Sequence, residues 1–198
     1  PVVPTVMCAP EPPKPKYVDY ETGAYYMEKP EHMTQLFGNV LVAKDHPRIH
    51  FRGKLDSLQA QVVLAQATIH EEGGCQKLVD DLGNILGVLR EMMRCDVLDE
   101  AFKNETIIGL THAELRERSH NPQKFFGVQY MQLPDYTMGR DYALLNQLRA
   151  AVRETEVAAT EAFRVGNKYT RKDIIEELNR LSSAIHIMMC MYLAGQYR

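Results

Sequence analysis

The chain has 198 residues, 45% of them hydrophobic and 25% charged, with a formal net charge of −3. That composition excludes a wholly disordered chain, and the length allows one domain with a full core. A net negative charge gives no general attraction to nucleic acid or to an anionic membrane, so any anionic ligand must be met by a local cluster of Lys and Arg.

Residues 1–31 hold most of the prolines, in a form that cannot sustain a helix and favours extended backbone, and are expected to be a linker or arm. Its tyrosines Tyr17, Tyr20, Tyr25 and Tyr26 suggest that part of it packs against something. The chain starts at Pro1 rather than Met and is expected to be a piece of a longer one. Residues 32–198 then read as the folded domain. Asn39 to Ala43 is a short β-like run, and Pro47 disfavours helix at His46, which makes Lys44 to Arg48 an extended lead-in. A first helix is predicted from about Lys54 to Glu71, with Leu55, Leu58, Val62, Ala65 and Ile69 on one face and Gly73-Gly74 as its stop. A second follows from about Gln76 to Arg94, where Met92 and Met93 read as core filler. Between Cys95 and Gly139 turn signals surround one short helix, which Thr111-His112-Ala113-Glu114 starts with a capping box. So long a loop region inside a domain is usually functional, and it reads as a lid or substrate wall.

Gly139 to Phe163 is the longest clean helical pattern, closed by Gly166-Asn167. Leu145, Leu148, Val152, Ala159 and Phe163 share its apolar face, and Arg149, Arg153 and Glu156 fall on or beside that face. Surface helices put such charges opposite the stripe, and burying one costs several kcal/mol without a partner. Two readings stay open: an anionic ligand or partner chain at this face, or a half-exposed intrahelical network worth at most about 1 kcal/mol. The last helix runs from Thr170, a plausible cap, to about Leu193, and carries Asn179 and Arg180 beside its core stripe. A mid-helix Asn there needs a partner. Four long helices and almost no strand predict an all-α fold, an antiparallel bundle of four to five helices.

Cys8, Cys75, Cys95 and Cys190 lie far apart with no zinc spacing, so reduced thiols are expected. His46 and His50 flank Pro47, but lone histidines are more often structural or surface residues than ligands. No signal peptide is visible, and the most apolar run, Ile185 to Ala194, is about half of a membrane span. A cytoplasmic protein is expected.

Several phrases match known sequences. Lys44-Asp45-His46-Pro47-Arg48 followed by Gly53 and Asp56 resembles the lead into the first long helix of the propanediol-utilisation type of ATP:cob(I)alamin adenosyltransferase, and Thr34 and Gly38 keep that family's offsets from Lys44. Leu133-Pro134 followed by Arg149, Arg153 and Glu156, and then Leu178-Asn179-Arg180-Leu181-Ser182, resemble two further motifs in the same order. Ile107 to Leu115, Ser119 to Pro122, Gly139 to Glu156 and Glu177 to Met189 are similar throughout to the ethanolamine-utilisation type. The chain departs from these families in two places. Tyr25 to Thr34 stands where the propanediol type has its Gly-rich ATP strand, and the His and Cys-Cys-x-x-Cys metal cluster of some ethanolamine-type members is absent.

The resemblance implies an enzyme that transfers the 5′-deoxyadenosyl group of ATP to Co(I) of a reduced corrinoid, giving adenosylcobalamin and triphosphate. Its substrates would be ATP, with Mg2+, and cobalamin. Arg153 and Lys44 would serve the phosphates, with Thr34 beside the nucleotide; Glu156 would bind ATP or its Mg2+, and Asn179 would contact the nucleotide. Asp56 and Arg149 match a family pair that bridges subunits and orders the site. Met131, with Tyr130 beside it, stands where the propanediol type has the aromatic residue that walls off the lower face of the corrinoid, although Met131 also reads as plain core. A homotrimer is implied, or a homodimer as in the ethanolamine type. A flavin or ferredoxin-type reductase, and association with a bacterial microcompartment, are further implications. A non-catalytic corrinoid-binding or escort protein, and a ligand-free structural bundle, are the competing readings.

Overall fold

Pro47 starts the first long helix rather than preceding it. In the computed structural model, which describes residues 1–5, 7–130 and 132–198, α1 spans Pro47–Glu71 with proline in its first turn. His46 does stay extended (φ −59°, ψ 139°), and its side chain accepts from Arg48 N. The proline restriction thus acts on the cap residue, and the proline itself occupies a position whose N–H would be unpaired anyway. The predicted start at Lys54 is corrected accordingly.

The chain divides into two units, Pro1–Lys44 and Asp45–Arg198. The first holds β1 (Tyr17–Asp19), β2 (Tyr25–Tyr26), β3 (Met33–Phe37) and β4 (Val40–Ala43), in the order β2-β1-β4-β3. β3 and β4 form a hairpin whose turn needs Gly38 at φ +53°, and β1 lies parallel to β4. Asp19 ends β1 by accepting from Glu21 N and Thr22 N. Part of the expected arm therefore belongs to a sheet, which corrects the all-α expectation.

The second unit is mostly helical. α1 and α2 (Gln76–Leu98) are joined by a short link, and α5 (Arg140–Ala162) and α6 (Lys172–Leu193) by the hairpin β7 (Arg164–Val165) and β8 (Lys168–Tyr169). α5 packs against both α1 and α6. The predicted stripes meet in one core: Phe51, Leu55, Leu58, Leu82, Leu89, Leu145, Val152, Leu178, Leu181 and Ile185 are all fully buried, each contributing about 1.5–3 kcal/mol of transfer free energy. Gly166-Asn167 turns the β7–β8 hairpin instead of capping α5. Thr170 is not the cap of α6; that position is Arg171 at φ +47°, and the Thr170 hydroxyl donates to Phe163 O.

Between α2 and α5 come the hairpin β5 (Thr106–Ile107) and β6 (Leu110–Thr111), α3 (His112–His120), the short α4 (Pro122–Phe126) and a 3-10 turn at Tyr136–Met138. The Thr111/Glu114 capping box forms as read, and α3 and α4 lie on α6. Asp96, fully buried near the end of α2, ties that helix to the start of α1 by accepting from Arg48 at 2.9 Å and Arg52 at 2.6 Å.

Candidate active site

Each long helix buries its apolar stripe, so polar residues on its flanks are driven to the seams. On α5 the seam carries Arg149, half-buried, whose guanidinium donates twice to Asn146 one turn earlier. On α6 it carries Asn179, Ser182, Ser183 and His186, spaced at helical period along one edge. α3 and the segment after α4 close over this α5–α6 seam and leave cavities along it.

The first cavity, about 240 Å³, is walled by Val128, Leu133, Pro134, Tyr142, Met189 and Leu193, with Arg149, His186 and Cys190 at its polar side. The second, about 260 Å³, shares Arg149 and His186 with the first and adds Tyr130, Arg153 and three serines. No carboxylate lines it, so two guanidiniums face a space with only hydroxyls and imidazoles for company. The third, about 650 Å³, shares His120 and Ser183 with the second and includes Asn179, Arg180 and Arg116. An apolar cavity thus grades into a polar, cationic cleft along a single seam.

Burial lowers the pKa of His186, and Arg149 lowers it further, so the imidazole is neutral at pH 7. Its Nε2 lies 3.8 Å from Cys190 Sγ, whose thiol is pushed up by burial to about 11 and stays protonated. The Tyr142 hydroxyl is likewise raised, chiefly by burial. Glu156 is raised by burial, with Arg153 opposing.

The structure brings Tyr130, Arg149 and Arg153 together in the second cavity and puts Asn179 in the adjoining third. Arg153 is exposed and makes no hydrogen bond or ion pair among the described residues, so no intrahelical hydrogen-bonded network with Glu156 forms. Glu156, half-buried on α5, and Asp56, exposed on α1, line none of these three cavities. Asp56 and Arg149 do not pair within the chain among the described residues. Thr34, half-buried on β3, and Lys44, exposed, belong to the other unit, and Met131 lies outside the described residues. Sequence reasoning missed His186, Ser182, Ser183, Ser119 and His120. The first three were legible as a polar edge in phase with Asn179, whereas Ser119 and His120 needed the packing of α3. Among the described residues no group of three or more His, Cys, Asp or Glu could hold a metal ion, and no helix is long and apolar enough to cross a membrane.

Fold and cleft together define a helical-bundle protein with an anion-receptive seam opening beside an apolar cavity. A family model, cobalamin adenosyltransferase, matches residues 24–192, and the chain belongs to that family. It is 38% identical to the corrinoid adenosyltransferase EutT of Salmonella typhimurium over 85% of this chain, and 37% identical to the protein of the same name in Escherichia coli K12. The chain spans 61% of the length of both relatives. Its fold matches a solved variant of the PduO-type ATP:corrinoid adenosyltransferase from Lactobacillus reuteri, complexed with cobalamin and ATP, with a TM-score of 0.65 at 18% identity, covering 85% of this chain and 92% of that one.

Proposed function

We propose that the protein is a corrinoid adenosyltransferase serving ethanolamine utilisation. Co(I) of a reduced corrinoid attacks C5′ of ATP; the Co–C bond forms as the C5′–O bond breaks, and triphosphate leaves with the bonding pair. Co(I) is nucleophilic enough to need no side-chain base, so the chain's work is to orient C5′ over cobalt and to stabilise charge on the leaving group. The observation that carries this reading is the carboxylate-free cleft holding Arg149 and Arg153, which adjoins an apolar cavity. Such a pairing suits an anionic nucleotide next to a corrin ring.

Arg153 offers a planar fork to phosphate oxygens, Asn179 contacts the nucleotide, and Lys44 and Thr34 supply further contacts. Tyr130 belongs to the corrinoid wall. Glu156, three residues beyond Arg153 on α5 but outside the three cavities, is the carboxylate that the resemblance offers to a Mg2+ ion arriving on the triphosphate, whose charge would favour the ionised form that burial disfavours. Asp56 and Arg149, each without an ionic partner within the chain among the described residues, pair across subunits of a homotrimer, a homodimer being the alternative assembly. Reduction to Co(I) is left to a flavin or ferredoxin-type reductase. The setting is the cytoplasm, in association with a bacterial microcompartment.

A second reading, a non-catalytic corrinoid carrier, is favoured by Tyr25 to Thr34 standing in place of a Gly-rich ATP strand. Incubation with ATP, Mg2+ and chemically reduced cobalamin separates the two. A light-sensitive Co–C product supports the enzyme, and corrinoid binding without that product supports the carrier.

A further inference from the structure

The third cavity contains cations that the adenosyl-transfer reading leaves unused. Arg116 and His120 project from α3 towards the α6 edge formed by Asn179, Arg180 and Ser183. Neither the Arg116 guanidinium nor the His120 imidazole makes a hydrogen bond or ion pair among the described residues. One carboxylate, the exposed Glu176, also lines this cavity, and Arg180 lies 3.7 Å from it. The buried Glu177 beneath the cleft is already engaged, accepting from Asn104 Nδ2 at 3.0 Å and lying 3.3 Å from His112 Nε2.

The C-terminal end of α3 would repel an anion if its carbonyls were bare. They are covered in part: Ser119 Oγ donates to Arg116 O, Asn121 Nδ2 to Glu117 O and Asn121 N to Arg118 O. His120 and Ser183 line this cavity and the Arg149–Arg153 cleft alike, so one extended anion can lie across both.

We propose that the cleft between α3 and α6 seats the triphosphate of ATP, with Arg116 and His120 as phosphate-binding residues in addition to Arg153. The proposal rests on the adenosyltransferase reading for the identity of the nucleotide, while the polyphosphate site itself rests on geometry alone. Guanidinium and imidazole donors on α3, the Ser183 hydroxyl and the Asn179 amide on α6 would grip phosphate oxygens from two sides. The adenosine end would point towards Tyr130 and the apolar cavity. As triphosphate departs, these donors would hold the charge that accumulates on it.

The direct probe is inorganic tripolyphosphate titrated calorimetrically into the full chain, with Arg116→Ala, His120→Ala and Arg116→Lys compared with wild type. Both alanine variants should weaken tripolyphosphate binding at least about tenfold, with Arg116→Lys in between, and adenosine binding should not change. The Michaelis constant for ATP should rise in step while that for the corrinoid stays put. Both residues are exposed, so melting temperatures should not move. If wild type makes adenosylcobalamin and the alanine variants bind tripolyphosphate and ATP unchanged, the placement is overturned and the enzymatic reading stands. If wild type makes no adenosylcobalamin yet loses tripolyphosphate on Arg116→Ala, the enzymatic reading falls and the polyphosphate site stands. The nucleotide-loop phosphate of cobalamin is the other source of the same chemistry. An Arg116 effect seen with cobalamin but absent with cobinamide, which lacks that phosphate, would overturn the assignment to ATP.

Discussion

Arg153→Lys tests the nucleotide site most sharply, because structure separates the residue's binding role from any folding role. Its side chain is exposed and forms no hydrogen bond or ion pair among the described residues, so the lysine should cost the fold no more than about 0.5 kcal/mol. Lysine keeps the charge but loses the two-pronged geometry that fits phosphate. The loss expected is that of a charge-assisted hydrogen bond, about 1–3 kcal/mol, which is roughly a 5- to 150-fold fall in kcat/KM for ATP. Initial rates of adenosylcobalamin formation at varied ATP and saturating reduced cobalamin, together with a thermal melt, read both quantities on one sample. An unchanged Michaelis constant for ATP would remove Arg153 from the site. A lowered melting temperature with unchanged kinetics would make it scaffold after all.

Three further outcomes follow from particular contacts. Asp96→Ala leaves Arg48 and Arg52 facing a fully buried vacancy; the two arginines keep some access to water, so denaturant unfolding should show a loss near the lower end of the 3–5 kcal/mol typical of a broken buried pair, about 3 kcal/mol. Glu156 has a folded pKa above its unfolded value, so the native state holds its proton more tightly, and this stabilisation is present in acid and lost as pH rises through the folded value. Glu156→Gln should therefore be more stable than wild type at neutral pH, with the advantage vanishing below about pH 4; an advantage independent of pH would refute the cause. For Asp56 and Arg149, the double exchange Asp56→Arg with Arg149→Asp should recover more adenosylation activity than either single change if the two meet across subunits, and sedimentation of a monomer at high concentration would sink the shared site.

How far the fold could be read depends on the range of the interactions that make each element. The stripes of α1, α2, α5 and α6 repeat at helical period over about four or more turns, so local pattern alone locates them, and their apolar residues are buried as expected. The strands do not work that way. β1 and β2 are two or three residues long and are strands only because Val18 meets Val40 and Tyr17 meets Tyr26. Such pairing leaves no period in the sequence, and the prolines before Tyr17 argued for an arm. Pro47 misleads in a different way: it reads as part of an extended lead-in, and it begins α1.

The candidate site divides along similar lines. Charge on the apolar flank of α5 is visible as an anomaly in the sequence, because Arg149 and Arg153 adjoin Leu148 and Val152 at the edge of the stripe that the helix buries. What those charges meet is a tertiary matter. Arg149 turns back to Asn146 within its own helix, and Arg153 meets a cleft whose other wall is α3, a helix that ends at His120, well before α5 begins in the sequence. The capping box announces where α3 starts, but nothing local says that its last turn comes to rest over Ser183. An anion held by α3, α5 and α6 together would tie α3 to the α5–α6 pair, so ligand binding should slow amide exchange in α3 as well as in the two long helices.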